Sequence, residues 1–127
     1  MFEVSVEYSF AAGHALRGYK GKCENVHGHN YRVKVTVAGE KLNSIGLLVD
    51  FTDLRASLKE LVASFDHHFL NDLEPFRQVN PSAENLAHYL GTELGRKIES
   101  QGICVHSVTV WETDTTSATY RPASSPR

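Results

Sequence analysis

The sequence predicts an α+β domain of order ββααββ, a four-stranded antiparallel sheet with two helices on one face. Three observations carry this prediction. Polar and apolar residues alternate strictly near the N-terminus, the period lengthens to helical spacing from Phe51, and alternation returns after Val105. Strands followed by helices followed by strands suit an antiparallel sheet whose helices cover a single face.

The first strand is "FEVSVEYSF", with Phe2, Val4, Val6, Tyr8 and Phe10 on one face and Glu3, Ser5, Glu7 and Ser9 on the other. Residues 29–38 repeat the pattern with Tyr31, Val33, Val35 and Val37, after a loop too long for a tight hairpin. Phe51, Leu54, Leu58, Leu61 and Phe65 follow helical spacing, with Asp50 or Thr52 as cap. The second helix runs from about Pro81 to Ser100 on a stripe of Leu86, Leu90, Leu94 and Ile98. Asn80 or Ser82 caps it, Pro81 suits the first helical position, and Gly91 and Gly95 allow close packing. Strands at 105–113 and 117–121 complete the order.

With 127 residues the chain reads as one domain, residues 1–121, followed by a flexible tail at 122–127. The formal charge of −2, from 13 basic and 15 acidic residues, offers no basic field for nucleic acid. No apolar run approaches the roughly 20 residues of a membrane span. The alternating N-terminus has no signal-peptide pattern, and two cysteines make no disulfide framework, so a cytoplasmic location with reduced thiols is expected.

The stretch "CENVHGHN" concentrates chemistry. Side chains two apart on a strand share a face, so His27 and His29 extend the row of Tyr31 to Val37. His14 extends the row of Phe2 to Phe10 if no bulge intervenes. Antiparallel pairing then brings all three imidazoles to one end of the sheet. Three neutral imidazoles with an open fourth position are the ligand set of a catalytic zinc site.

Cys23 stands just before this cluster, where a thiolate base, a fourth ligand and a small buried residue are all open readings. Asp66 beside His67 and His68 has the form of a proton relay, and equally that of a helix C-terminus. Glu112 continues the row of Val108 and Val110, so a carboxylate occupies the apolar face where the strand ends. It calls for paired N–H donors, or it is an exposed strand end. Cys104 is expected in the core.

These residues, His14, Cys23-x-x-x-His27-Gly28-His29, Asp66-His67, "NPSAEN" at 80–85 and "WET" at 111–113, resemble the 6-pyruvoyl-tetrahydropterin synthase family over about residues 3–121. The Cys-x-x-x-His-Gly-His form looks most like its bacterial 6-carboxy-tetrahydropterin synthase branch, of queuosine biosynthesis. The resemblance implies a tunnelling fold whose trimeric barrels pair as a homohexamer, with active sites between subunits. It implies a zinc lyase in which His14, His27 and His29 hold Zn2+ and Cys23 abstracts a proton. Asp66 and His67 would form the second proton-transfer pair, and Glu112 would grip the pterin's 2-amino and N3 edge. The implied substrate is 7,8-dihydroneopterin triphosphate. The implied products are 6-carboxy-5,6,7,8-tetrahydropterin, acetaldehyde and triphosphate, with Arg17, Lys20 and Lys22 as candidate phosphate contacts.

Two positions depart from the family's pattern. Pro81-Ser82-Ala83 replaces Pro-Thr-Ser and leaves Ser82 and backbone groups for a pterin contact. Glu24 beside Cys23 brings in the motif of relatives that form 6-hydroxymethyl-dihydropterin for folate, so Glu24 is either a second catalytic carboxylate or a loop residue. Formation of 6-pyruvoyl-tetrahydropterin is the other alternative.

Overall fold

The alternation that starts at Phe2 runs unbroken to the first metal-type histidine. In a computed structural model, described for residues 1–18 and 25–122, the chain forms β1 (Phe2–His14), β2 (His27–Gly39), α1 (Phe51–Val62), β3 (His68–Phe69), α2 (Ala83–Ile98), β4 (Cys104–Thr113) and β5 (Thr116–Tyr120). The α+β class and the two helices are as the sequence predicts. The sheet has five strands rather than four, in the order β3-β1-β2-β4-β5. The added strand is two residues long and pairs parallel to β1 at Ala12 and Gly13. Two residues carry no period, so its strand character comes from a partner far away in sequence.

β1 and β2 pair antiparallel without a register shift from Phe2 opposite Gly39 to His14 opposite His27. Their inward row (Val6, Phe10, Tyr31, Val33, Val35 and Val37) is buried beneath the helices. Outward lie charged and polar residues such as Glu7 and Arg32, paired at 3.3 Å, with the Arg32 guanidinium 3.9 Å over the Trp111 ring.

Asp50 caps α1 by accepting the Thr52 N–H at 2.7 Å. The helix buries Leu54, Leu58 and Val62 at the 3.6 period, while Phe51, at its first turn, is exposed. Ser82 caps α2, accepting the Asn85 N–H at 3.1 Å. Pro81 therefore sits one residue before the cap and not at the first helical position. Leu86, Leu90, Leu94 and Ile98 are all buried, each contributing about 1.5–3 kcal/mol on removal from water. α1 packs on β1, and α2 on β4 and β5. The predicted glycine pair divides: Gly91 lies against Tyr120 and Val108 of the sheet, while Gly95 has no close neighbour.

β4 departs from regular pairing twice, between Thr36 and Val37 on its β2 side and between Trp111 and Thr113 on its β5 side. The second irregularity falls at Glu112. Among the described residues no helix is long and apolar enough to cross a membrane.

Candidate active site

With no bulge in β1, parity carries His14 onto the face of Phe10 and Ala12, and His27 and His29 onto the face of Tyr31. The rings meet edge to face, with centroids 4.5 Å apart for His14–His27, 4.8 Å for His27–His29 and 5.0 Å for His14–His29. One ligand-type atom from each lies within 4.8 Å of the others. His14 is 1% exposed.

Hydrogen bonding assigns the tautomers. His14 Nδ1 lies 2.7 Å from the Pro81 carbonyl oxygen, and His27 Nδ1 lies 2.7 Å from that of Asn25. A carbonyl oxygen only accepts, so both Nδ1 atoms carry hydrogen and both Nε2 atoms of the neutral rings present lone pairs. Those two Nε2 atoms are 2.9 Å apart. Two lone pairs at that separation repel unless a positive charge lies between them. His29 Nε2 is buried with no partner among the described residues. Burial pushes the His29 imidazole below its usual pKa, and the neighbouring His14 and His27 add to this, against the opposing pull of Glu112. A neutral, converging imidazole set with its outer nitrogens fixed by carbonyls fits a divalent metal ion.

Glu112 closes the cluster from β4. Its carboxylate oxygens lie 3.8 Å from His29 Nε2 and 3.9 Å from His14 Nε2. Beside it, Tyr31 is fully buried, its ring stacked on Phe10 at 5.1 Å and edge-on to His14 and His29 at 5.8 and 5.4 Å. The Tyr31 hydroxyl has no hydrogen-bond partner among the described residues. Burial, reinforced by Glu112, raises its pKa far above the usual phenol value.

Asp66 and His67 dock onto β1. Asp66 Oδ1 accepts the Ala11 N–H at 3.0 Å, and the His67 N–H donates to Ala11 O at 2.6 Å. His67 has a left-handed backbone, φ 60°, which is uncommon and costly for a residue other than glycine. Its Nε2 stands 3.6 Å from Asp66 Oδ1, and its side chain is 82% exposed. That separation is an ion-pair distance and not a hydrogen bond. His68 Nδ1 donates to Asp66 O at 2.8 Å. An open cavity of about 520 Å³ joins His67 and His68 to His29, with walls from Ala12, Gly13 and Gly28. His14, His27, Asp66 and Glu112 do not line it.

A profile of the 6-pyruvoyl tetrahydropterin synthase family matches residues 3–123. The chain belongs to that family. It is 38% identical over 135 residues to the 6-carboxy-5,6,7,8-tetrahydropterin synthase of Bacillus subtilis, covering 95% of this chain and 86% of that one. It is 37% identical over 126 residues to the enzyme of the same name from Synechocystis, covering 94% and 93%. Among solved structures it resembles the 6-pyruvoyl tetrahydropterin synthase of Caenorhabditis elegans, with TM-score 0.82 and 30% identity over 97% of this chain and 98% of that one.

In this member of the synthase family, the residues singled out from sequence fall into groups. His14, His27, His29 and Glu112 come together, while His67, with Asp66 beside it, shares a cavity with His29. Ser82 Oγ serves as a helix cap. Cys23, Glu24, Lys20 and Lys22 lie outside the described residues. The Arg17 guanidinium donates to three carbonyl oxygens, at 2.7 Å to Phe76, 3.3 Å to Asn71 and 3.5 Å to Val79, so its donors hold the loop rather than face outward. Cys104 is half-buried, its thiol 3.8 Å from Ala38 O.

Sequence reasoning missed the residues that position the histidines. Asn71 accepts the Ala15 N–H at 2.9 Å and donates to Ala15 O at 2.8 Å, directly after His14. Asn80 makes the same double contact with Arg17, and Asn85 Nδ2 donates to Asn80 O at 2.8 Å. The motif "NPSAEN" thus holds the His14 region through Asn80, Pro81 and Asn85. No local spacing encodes such contacts, although Tyr31 was visible on the histidine row.

Proposed function

We propose that this chain is a zinc-dependent carbon–carbon lyase of queuosine biosynthesis. It would convert 7,8-dihydroneopterin triphosphate and water to 6-carboxy-5,6,7,8-tetrahydropterin, acetaldehyde and triphosphate. The observation that carries the reading is the convergence of His14, His27 and His29, with two Nδ1 atoms fixed on carbonyls so that Nε2 lone pairs face inward. The names of the relatives at 37% and 38% identity support the 6-carboxy branch.

His14, His27 and His29 would hold Zn2+. When bound, zinc supplies Lewis acidity that stabilises negative charge on a side-chain oxygen of the substrate. Glu112 presents two carboxylate oxygens, matching the paired N–H groups of the pterin 2-amino and N3 edge. Cys23 would take a proton from the substrate side chain, and Asp66 with His67 would move the second. In this reading Ser82 is a further pterin contact, the protein is cytoplasmic, and it works as a homohexamer with sites between subunits. That last feature is consistent with a His67 side chain exposed in the single chain.

The test is incubation of the zinc-loaded protein with 7,8-dihydroneopterin triphosphate. Acetaldehyde should appear in step with the 6-carboxy product. A 6-pyruvoyl product without acetaldehyde would assign the chain to the pyruvoyl-forming branch. A second reading rests on Glu24 adjoining Cys23 in the sequence: formation of 6-hydroxymethyl-dihydropterin for folate, alone or as a second activity. Chromatography of products from Cys23→Ala and Glu24→Ala separates the two. If Glu24→Ala leaves any hydroxymethyl product undiminished, Glu24 has no catalytic part.

A further inference from the structure

Tyr31 combines complete burial with a hydroxyl that has no partner among the described residues. An unpaired buried hydroxyl is destabilising, and phenylalanine would fill the same space without that cost. Its surroundings suggest what the hydroxyl serves. The β2–β4 ladder ends with Arg32 opposite Trp111, so the next residues across the two strands are Tyr31 and Glu112, both on the helix-facing side. Glu112 leans on His29 Nε2 and His14 Nε2, at 3.8 and 3.9 Å. Those nitrogens are the atoms a metal ion would take. At those separations, with His14 Nε2 presenting a lone pair, neither nitrogen donates a hydrogen bond to the carboxylate, and the phenol across the ladder is the neutral donor beside it.

We propose that Tyr31 is a positioning residue whose O–H donates to the Glu112 carboxylate in the metal- and pterin-loaded site, fixing the plane in which it meets the pterin edge. Tyr31 has no exposed surface, whereas the Glu112 side chain is 27% exposed, so Tyr31 acts through Glu112 and not on the substrate. A carboxylate has lone pairs enough to accept the phenol and a paired N–H edge together. The inference rests on the pterin reading and adds a residue to it.

The experiment compares wild type, Tyr31→Phe, Glu112→Gln and the double variant. Three quantities are read: thermal unfolding of the metal-free protein, zinc affinity by chelator competition, and neopterin affinity of the zinc-loaded protein by fluorescence titration. Tyr31→Phe should unfold at the same temperature or higher without metal, and should keep its zinc affinity within about twofold. Its neopterin affinity should fall about tenfold, the effect of one hydrogen bond to a charged acceptor. In the Glu112→Gln background the same change should have a much smaller effect, since the two residues act as a unit. Three results overturn the proposal: unchanged neopterin affinity, an equal loss in both backgrounds, or a metal-free unfolding temperature lowered by several degrees. If wild type itself does not bind neopterin, the pterin reading falls first, and this inference with it.

Discussion

Asn80 treats Arg17 as a neighbouring strand would, accepting its N–H at 2.9 Å and donating to its carbonyl at 2.9 Å. Asn71 does the same for Ala15. Side-chain amides thus take over where the β1 ladder stops at His14. Asn80→Ala should cost about 1–3 kcal/mol, because both peptide groups of Arg17 lose their partner. Asn80→Asp keeps the acceptor and loses the donor, so it should fall between wild type and Asn80→Ala in urea denaturation. Equal stability of all three would mean that solvent replaces the pair.

His14→Ala should remove one candidate metal ligand and the Pro81 contact together. Zinc at a hundredfold excess over its Kd stabilises a folded protein by about 2.7 kcal/mol. That increment should be present in wild type and absent in His14→Ala, as read by thermal unfolding with and without zinc. A variant still stabilised by zinc to the same degree would place the metal elsewhere.

The metal-free protein should lose stability on mild acidification. Burial lowers the His29 pKa in the folded state, whereas the unfolded chain keeps a value near 6.5. Below about pH 6.5 the unfolded state therefore binds more protons, and stability falls as pH falls through that window. Above it the contribution is fully present. Denaturation midpoints of the chelator-treated protein between pH 5 and 8, set against those of His29→Gln, would reveal the slope, which should be shallower in the variant.

Gly91→Ala should destabilise despite its better helix propensity, which alone favours alanine by about 1 kcal/mol. The added methyl would stand 2.8 and 3.0 Å from the Tyr120 ring and 3.4 Å from Val108. Relief requires moving a ring that also meets His88 edge-on at 4.9 Å. Such overpacking costs about 1–3 kcal/mol, and a calorimetric scan would show the unfolding temperature drop. Gly95→Ala, with open space around it, should raise it.

Legibility in the sequence follows the range of the interactions. β1, β2, β4 and both helices are written in local periods, and the shared face of His14, His27 and His29 follows from parity and antiparallel pairing. β3 is not legible, because His68 and Phe69 become a strand only through Ala12 and Gly13. The second hydrogen bonds of His14 and His27 were equally hidden, since they end on backbone carbonyls that every residue carries. Pro81 read as the start of a helix, yet its carbonyl turns to His14 while Ser82 takes the cap.

The links that hold the histidine end of the sheet span long stretches of chain: 55 residues from Ala11 to Asp66, 63 from Arg17 to Asn80 and 67 from His14 to Pro81. Each requires closing a long loop, which comes late when shorter contacts are available. During synthesis the β1–β2 hairpin emerges with all three imidazoles, but the carbonyl that orients His14 arrives with the start of α2. A chain stopped before residue 81 would carry the three imidazoles without the carbonyl that orients His14. Any metal capture by these three histidines should accordingly follow folding, not nucleate it.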